Sequence, residues 1–337
     1  MLIHRRQFLN LAVAGGMLAV PAISGAGQPL KVGAVYTVPV AQQWIARIHS
    51  ALLDYVVRGE IDYRFSENVQ FADYGSVLRQ FASAGYDLVL SDAFAHEEDA
   101  RLIAREFPNS TFLLGSGYAV DSRFPNVLVF DSYIQDASHL TGIVGGAMTQ
   151  TGKVGIVARL DFPGVNRLLN AFIDGAREWR SNTEFVVDYI GSWYDPERAG
   201  ELAVTQIAGG ADVILADAAG AAETAGHNQI PAIGSFSGPV SAQSAMLVTA
   251  AVWHFEPTLQ AVLDRVRGKS RGVNDFGIYS YIRHSGCSIM PIAAFPDRIP
   301  ENAIERVARR ENEMRQQLFT ANHNPSRPFS GLFPALQ

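Results

Sequence analysis

The chain has a single cysteine, Cys287, among its 337 residues. An internal disulfide is therefore excluded, and the residue reads as a small buried apolar side chain rather than a reactive thiol. Positive charge is scarce as well. Against 27 Lys and Arg stand 33 Asp and Glu, a formal net charge of −6, which argues against a nucleic-acid polymer as partner. Long apolar runs are missing. The greasiest stretch, 8–22, is too short and too rich in Gly and Ala to span a bilayer, which takes about 20 strongly apolar residues.

Catalytic signatures are missing too. Thr151-Gly152-Lys153 resembles the end of a phosphate loop, but position 147 is Ala rather than Gly, and Val154 stands where Ser or Thr would hold magnesium. The stretch from Gly234 to Gly238 reads GSFSG, with phenylalanine where a nucleophile elbow needs serine. No Gly-x-Gly-x-x-Gly follows the first strand-like run, VGAVYTVPV, and the eight histidines show no metal-ligand spacing. His96-Glu97-Glu98-Asp99 is acidic, but acids in the first turn of a helix complement its dipole without any cation. The expectation is a protein with no catalysis, no cofactor and no metal.

What is present begins at the N-terminus. Arg5-Arg6 precede Gln7-Phe8-Leu9, a weakly apolar core and the small-residue exit Ser24-Gly25-Ala26. That layout predicts a cleaved signal over 1–26 that resembles the twin-arginine type, and hence a periplasmic protein exported folded. No cysteine stands at the exit, so no lipid anchor is expected. Loss of this segment removes two arginines and no acid, leaving −8. The remaining ~310 residues suit two lobes of ordinary domain size.

Past the signal, short apolar runs alternate with amphipathic stretches. Strands are predicted over 30–38, 61–65, 88–91, 111–115, 127–130, 154–158, 185–190, 213–216 and 232–234. Helices are predicted over 42–57, 96–106, 136–149, 165–180 and 196–208. Near-continuous apolar strands indicate sheets covered on both faces, and repeated β-α units indicate parallel, right-handed winding with ligands beyond the carboxyl ends of the strands. Asp195-Pro196-Glu197 supplies an N-cap, a first-turn proline and a first-turn acid. The fold class is α/β. No Pro/Gly/Ser-rich linker marks a boundary, as expected of two lobes joined by several crossings. From 300 the chain reads as a charged amphipathic helix packed on a lobe, then a Pro-rich extended end.

Aromatic residues stand at strand exits: Trp44, Phe94, Trp193 with Tyr194, and Trp253. Placed around a crevice with few charges, they suit a flat, weakly polar ring held by stacking.

Four segments carry a resemblance. They are NVLVFDSYIQDASHLTGIVGGAMTQTGKVGIVARLDFPGVNRLLNAFIDGARE (126–178), YIGSWYDPERAGELAVTQIAGGADVILADA (189–218), GYDLVLSDAFAHEEDARLIAREFPNSTFLLGSGY (85–118) and LVTAAVWHFEPTLQAVLDRVRGK (247–269). Together, and collinearly over about 31–291, they resemble the basic-membrane-protein family of ABC-transporter substrate-binding proteins, whose best-known members bind purine nucleosides.

The resemblance implies a two-lobed periplasmic binding protein of type I, each lobe a mainly parallel sheet flanked by helices, with three crossovers at a hinge. Lobe 1 would take 29–131 plus about 246–280, and lobe 2 would take 132–245 plus about 281–337. It also implies a base held between Trp44 and Trp193, one from each lobe, and a monomer that meets the membrane only by docking on an ABC permease. Departures from the family pattern accompany the match. The first turn, Pro39-Val40-Ala41-Gln42-Gln43, lacks the usual aspartate, the GSFSG stretch is again acid-free, and Trp253 replaces a lysine.

Gln42, Gln43, Ser91, Asp92, Ser235 and Ser237 are the polar side chains left to bind a ligand, with Phe94 and Trp253 as further ring contacts. The expected ligand is a small planar heterocycle, a purine base first. A nucleoside, or a ligand presented to a membrane receptor by a sensor of the same build, is the alternative.

Overall fold

The computed structural model describes residues 28–117, 119–235, 246–270, 274–292 and 295–328; the expected signal over 1–26 and Ser237 lie outside them. The first half of the chain gives β1 (Leu30–Val35), α1 (Gln43–Val57), β2 (Ile61–Ser66), α2 (Tyr74–Ser83), β3 (Leu88–Ser91), α3 (Glu97–Glu106), β4 (Thr111–Gly115) and β5 (Val127–Phe130). Their five strands form one parallel sheet in the order β2-β1-β3-β4-β5. Strands β3 and β5 are buried at every position, because α1 lies on one face of the sheet and α2 with α3 on the other. The edge strand β2 carries Asp62, Arg64 and Ser66, the polar content that keeps an edge from pairing with another chain.

The second sheet is assembled from β6 (Lys153–Ala158), β7 (Glu184–Tyr189), β8 (Val213–Ala216), β9 (Ala232–Ser235), β10 (Leu247–Trp253) and β11 (Cys287–Ile289), in the order β11-β10-β9-β8-β6-β7. All pairs are parallel except β10 with β11. Helices α4 (Gln135–Met148), α5 (Pro163–Trp179), α6 (Pro196–Ala208) and α7 (Ala221–His227) cover it. Asp195 caps α6 as its sequence foretells, accepting from the Arg198 N–H at 3.0 Å. The acids after His96 occupy the first turn of α3, where Glu97 pairs with Arg101 at 2.8 Å. Cys287 is buried.

Helix α4 is buried on nearly all sides, and its glycines bring it onto α5 at backbone distance. A Cβ on Gly142 would lie 2.1 Å from the Phe172 carbonyl oxygen, and one on Gly175 would lie 2.0 Å from that of His139.

Three segments pass between the sheets: 131–135 after β5, 253–256 after β10, and 275–286 before β11. The second leads into α8 (Glu256–Val266), which lies against α1 of the first lobe, where Tyr55 donates to Gln260 at 2.9 Å. The chain then pairs at Asn274 and Phe276 with Val129 of β5 before returning. The crossing thus falls after β10. Residues 247–253, expected with the first lobe, belong to the second sheet.

The charged helix is α9 (Glu301–Arg315), packed beside α4 and α5 through Arg306 and Arg310, which pair with Glu178 at 3.1 and 2.8 Å. Beyond it the chain runs along α5, held by Asn322 on Asp174 and Asn170 on the Ser326 carbonyl, at 2.6 and 2.8 Å. Among the described residues no helix is long and apolar enough to cross a membrane.

Candidate functional site

Each sheet reverses its strand order once, between β1 and β3 in the first and between β6 and β8 in the second. Loops leaving such neighbours diverge and open a crevice at their carboxyl ends. The two crevices face each other, and together they line a cleft of about 620 Å³, counting its part open to solvent.

On the first lobe, Thr37 leaves β1 and Asp92 leaves β3. The Thr37 N–H donates to both Asp92 oxygens, at 3.0 and 3.1 Å, and its hydroxyl donates to Oδ2 at 2.6 Å. Asp92 is only 8% exposed. Burial outweighs these donors and pushes its carboxyl up to about 7. Among the described residues it has no ion-pair partner.

Gln42 caps α1: its Oε1 accepts from the N–H groups of Trp44 and Ile45 at 2.8 and 3.0 Å. The cap fixes the first turn, and with it Trp44. The Trp44 ring lies nearly parallel to Phe130, with centroids 5.5 Å apart, and is stacked on Trp253 at 5.3 Å. Phe130 and Trp253 are only 6.2 Å from each other, so both support Trp44 from the same side. Its indole N–H donates to Ser132 Oγ at 3.2 Å.

On the second lobe, Arg159 leaves β6 and Asp217 leaves β8. Arg159 grips Asp217 with Nε and Nη2 at 3.0 and 3.1 Å, both side chains buried, the two-pronged geometry that fixes a guanidinium in place. Its guanidinium lies 5.8 Å from the centre of the Trp193 ring. Pro163 opens α5, presenting Phe162 and the first turn of that helix to the cleft. Asp131, at the first crossing, accepts from the Ser132 N–H at 2.7 Å and from Arg167 at 2.8 Å.

Of the expected residues, Trp44, Trp193, Phe94, Gln42 and Asp92 line the cleft. Phe94 stands between the two tryptophans, 5.6 Å from Trp44 and 5.7 Å from Trp193, and Phe162 approaches both Phe94 and Trp193 at 5.6 Å. Other expected residues stand outside the cleft's lining. Trp253 is fully buried and backs Trp44. Ser91 is buried beneath the floor, donating to the Val35 carbonyl and bonded to the Tyr74 hydroxyl. Ser235 is buried at the end of β9, Gln43 begins α1, and neither lines the cleft; Tyr194 is exposed.

Two carboxylates line the cleft, the expected Asp92 and, in addition, Asp131. The sequence reading missed Thr37, Asp131, Ser132, Arg159 and Phe162. Thr37, Arg159 and Phe162 follow β1 and β6, strands at the reversal points, so strand order, had it been known, was the signal for them; Asp131 and Ser132 follow the edge strand β5 and begin the first crossing.

A family model described as ABC transporter substrate-binding protein, PnrA-like, matches residues 42–272. A purine-binding protein of Brucella abortus is 25% identical over 304 residues, 88% of this chain and 85% of that one. A nucleoside-binding ABC transporter protein of Lactococcus lactis is 21% identical, over 68% of this chain and 63% of its own. Among solved structures, solute-binding proteins of Aeropyrum pernix and Conexibacter woesei superpose with TM-scores of 0.72 and 0.67. They are 18% and 22% identical, over 87% and 88% of this chain and 93% and 99% of theirs. At that identity the likeness is one of fold.

Proposed function

The chain belongs to the PnrA-like family of ABC transporter substrate-binding proteins, and from that premise we propose that its cargo is a purine base, taken flat between the aromatic walls of the cleft and delivered to an ABC permease. The observation that carries this reading is the set Trp44, Phe94, Phe162 and Trp193, contributed by both lobes around a small number of fixed polar groups. Stacking on an aromatic face is worth ~1–3 kcal/mol per contact, and the walls suit a planar ring better than a flexible or spherical solute. The purine-binding relative from Brucella supports the same ligand class.

Binding and release need no bond to be made or broken; lobe closure about the three crossings traps the ring and presents a closed form to the permease. The protein acts as a monomer in the periplasm, exported through Arg5-Arg6. Replacing both arginines by Lys would leave it in the cytoplasm, and an unchanged periplasmic yield would contradict that route.

A second reading, a nucleoside as ligand, is favoured by Asp92, Asp131 and Arg159, charged groups of the kind that hold hydroxyls. Calorimetry decides between the two. Bases binding at least as tightly as their nucleosides supports the first. A tenfold preference for nucleosides, about 1.4 kcal/mol, replaces it with the second.

A further inference from the structure

Among the charged side chains that line the cleft, two already have partners. Asp131 is held by Arg167 at 2.8 Å, and Arg159 is neutralised by Asp217. Asp92 differs, since its donors are all neutral: the Thr37 N–H, which reaches both oxygens, the Thr37 hydroxyl, and its own backbone N–H. A carboxylate has about four lone-pair sites, so these three donors leave acceptor capacity on a residue that lines the cleft. A buried carboxyl in this position has two distinct hydrogen-bonding characters. Ionised, it only accepts; protonated, it also donates.

We propose that Asp92 reads the edge of the bound ring, and that its protonation state decides which edge fits. As carboxylate it selects a base that presents adjacent N–H donors, as guanine does with N1–H and N2–H₂. As carboxylic acid it selects a base with a ring-nitrogen acceptor beside an amino group, as in adenine. The inference rests on the purine reading above and deepens it.

The surroundings permit the switch near neutrality, since burial brings the Asp92 carboxyl up to about 7. Among the described residues no charged neighbour shifts the Asp92 carboxyl. Tyr36 on the β1 side and Tyr74 on α2 are phenols pushed upward by burial and stay neutral. His96, stacked on Tyr74 at the start of α3, is pushed down by burial. Across the cleft, Arg159 and Asp131 are tied into their own pairs. Thr37 is then a positioning residue, because its donors favour the ionised form.

The test measures guanine and adenine affinities by quenching of tryptophan fluorescence at pH 6 and pH 8, a range over which neither base changes its own charge. The guanine-to-adenine affinity ratio is expected to rise on the order of tenfold to a hundredfold from pH 6 to pH 8. Asp92→Asn, whose amide keeps a donor beside an acceptor at every pH, is expected to favour adenine with a flat ratio. Thr37→Val, which removes one donor to the carboxylate but leaves Asp92 in place, is expected to move the crossover to higher pH. A ratio that does not change with pH in the unaltered protein overturns the inference. So does a pH dependence that survives in Asp92→Asn. Failure of both bases to bind at either pH overturns the purine reading itself, and this inference with it.

Discussion

Trp44 and Trp193 look alike in the sequence and differ in the fold. Trp44 is 6% exposed and rests on Phe130 and Trp253, so it belongs to the core as much as to the cleft. Trp193 is half-buried on the loop after β7, against Arg159 and Phe94. Trp193→Ala is therefore expected to weaken ligand binding ten- to a hundredfold, ~1–3 kcal/mol, with little change in melting temperature. Trp44→Ala is expected to lose similar affinity and also ~3–5 kcal/mol of stability, as buried Trp-to-Ala truncations do. Paired calorimetry and thermal melts of each variant check this; equal stability losses at the two positions would contradict it.

Asp92 gives a pH prediction for the ligand-free protein. Its carboxyl ionises near 3.8 when unfolded and at about 7 when folded. Between those values the folded state binds the extra proton, so Asp92 makes stability fall as pH rises from ~4 to ~7, with the full penalty present above that. Asp92→Asn is expected to raise the melting temperature at pH 8 and to change it little at pH 4.

At the scale of elements, the packing of α4 on α5 is the tightest constraint on the second lobe. Gly175→Ala would push its new methyl into the His139 carbonyl and force the helices apart. A loss of ~1–3 kcal/mol is expected, as for other overpacked cores, and denaturant midpoints measure it. Because the N-terminal turn of α5 lines the cleft, a loss of affinity is expected to accompany it.

Most elements were legible in the sequence, since both faces of the sheets are covered and the strands are plain apolar runs such as Val127–Phe130 and Val213–Ala216. Two were less so. Helix α2 follows a polar stretch with no side-chain cap bond, and β11 is a three-residue strand. The aromatic walls were legible because Phe94 and Trp193 lie within four residues of a strand end and Trp44 stands in the first turn of the helix after the first strand. The polar groups were not, because Arg159 and Thr37 gain meaning only from strand order and Asp131 only from the crossing it begins, and periodicity encodes neither. Trp253 misled for a related reason: an aromatic at a strand exit faces the cleft or the hinge depending on which crossing its strand feeds.

At the scale of the whole molecule, that residue joins the three crossings. The Trp253 indole N–H donates to Ser280 Oγ at 2.9 Å, and Ser280 donates in turn to the Asp131 carbonyl oxygen at 3.1 Å. One buried relay thus connects all three segments directly beneath Trp44. Ser280→Ala leaves the indole N–H and the Asp131 carbonyl without this partner, a cost of about 1–3 kcal/mol. It is expected to lower stability and to broaden the distribution of lobe angles seen by small-angle scattering; an unchanged scattering profile and melt would show that the relay is dispensable.

The central claim, that the two lobes close on a purine base, is tested most directly by denaturing the purified protein and identifying what it releases by mass spectrometry. The account predicts a purine base, in up to one-to-one ratio with the chain and lost from the Trp193→Ala variant. Release of a sugar or another non-planar solute in that ratio would contradict it.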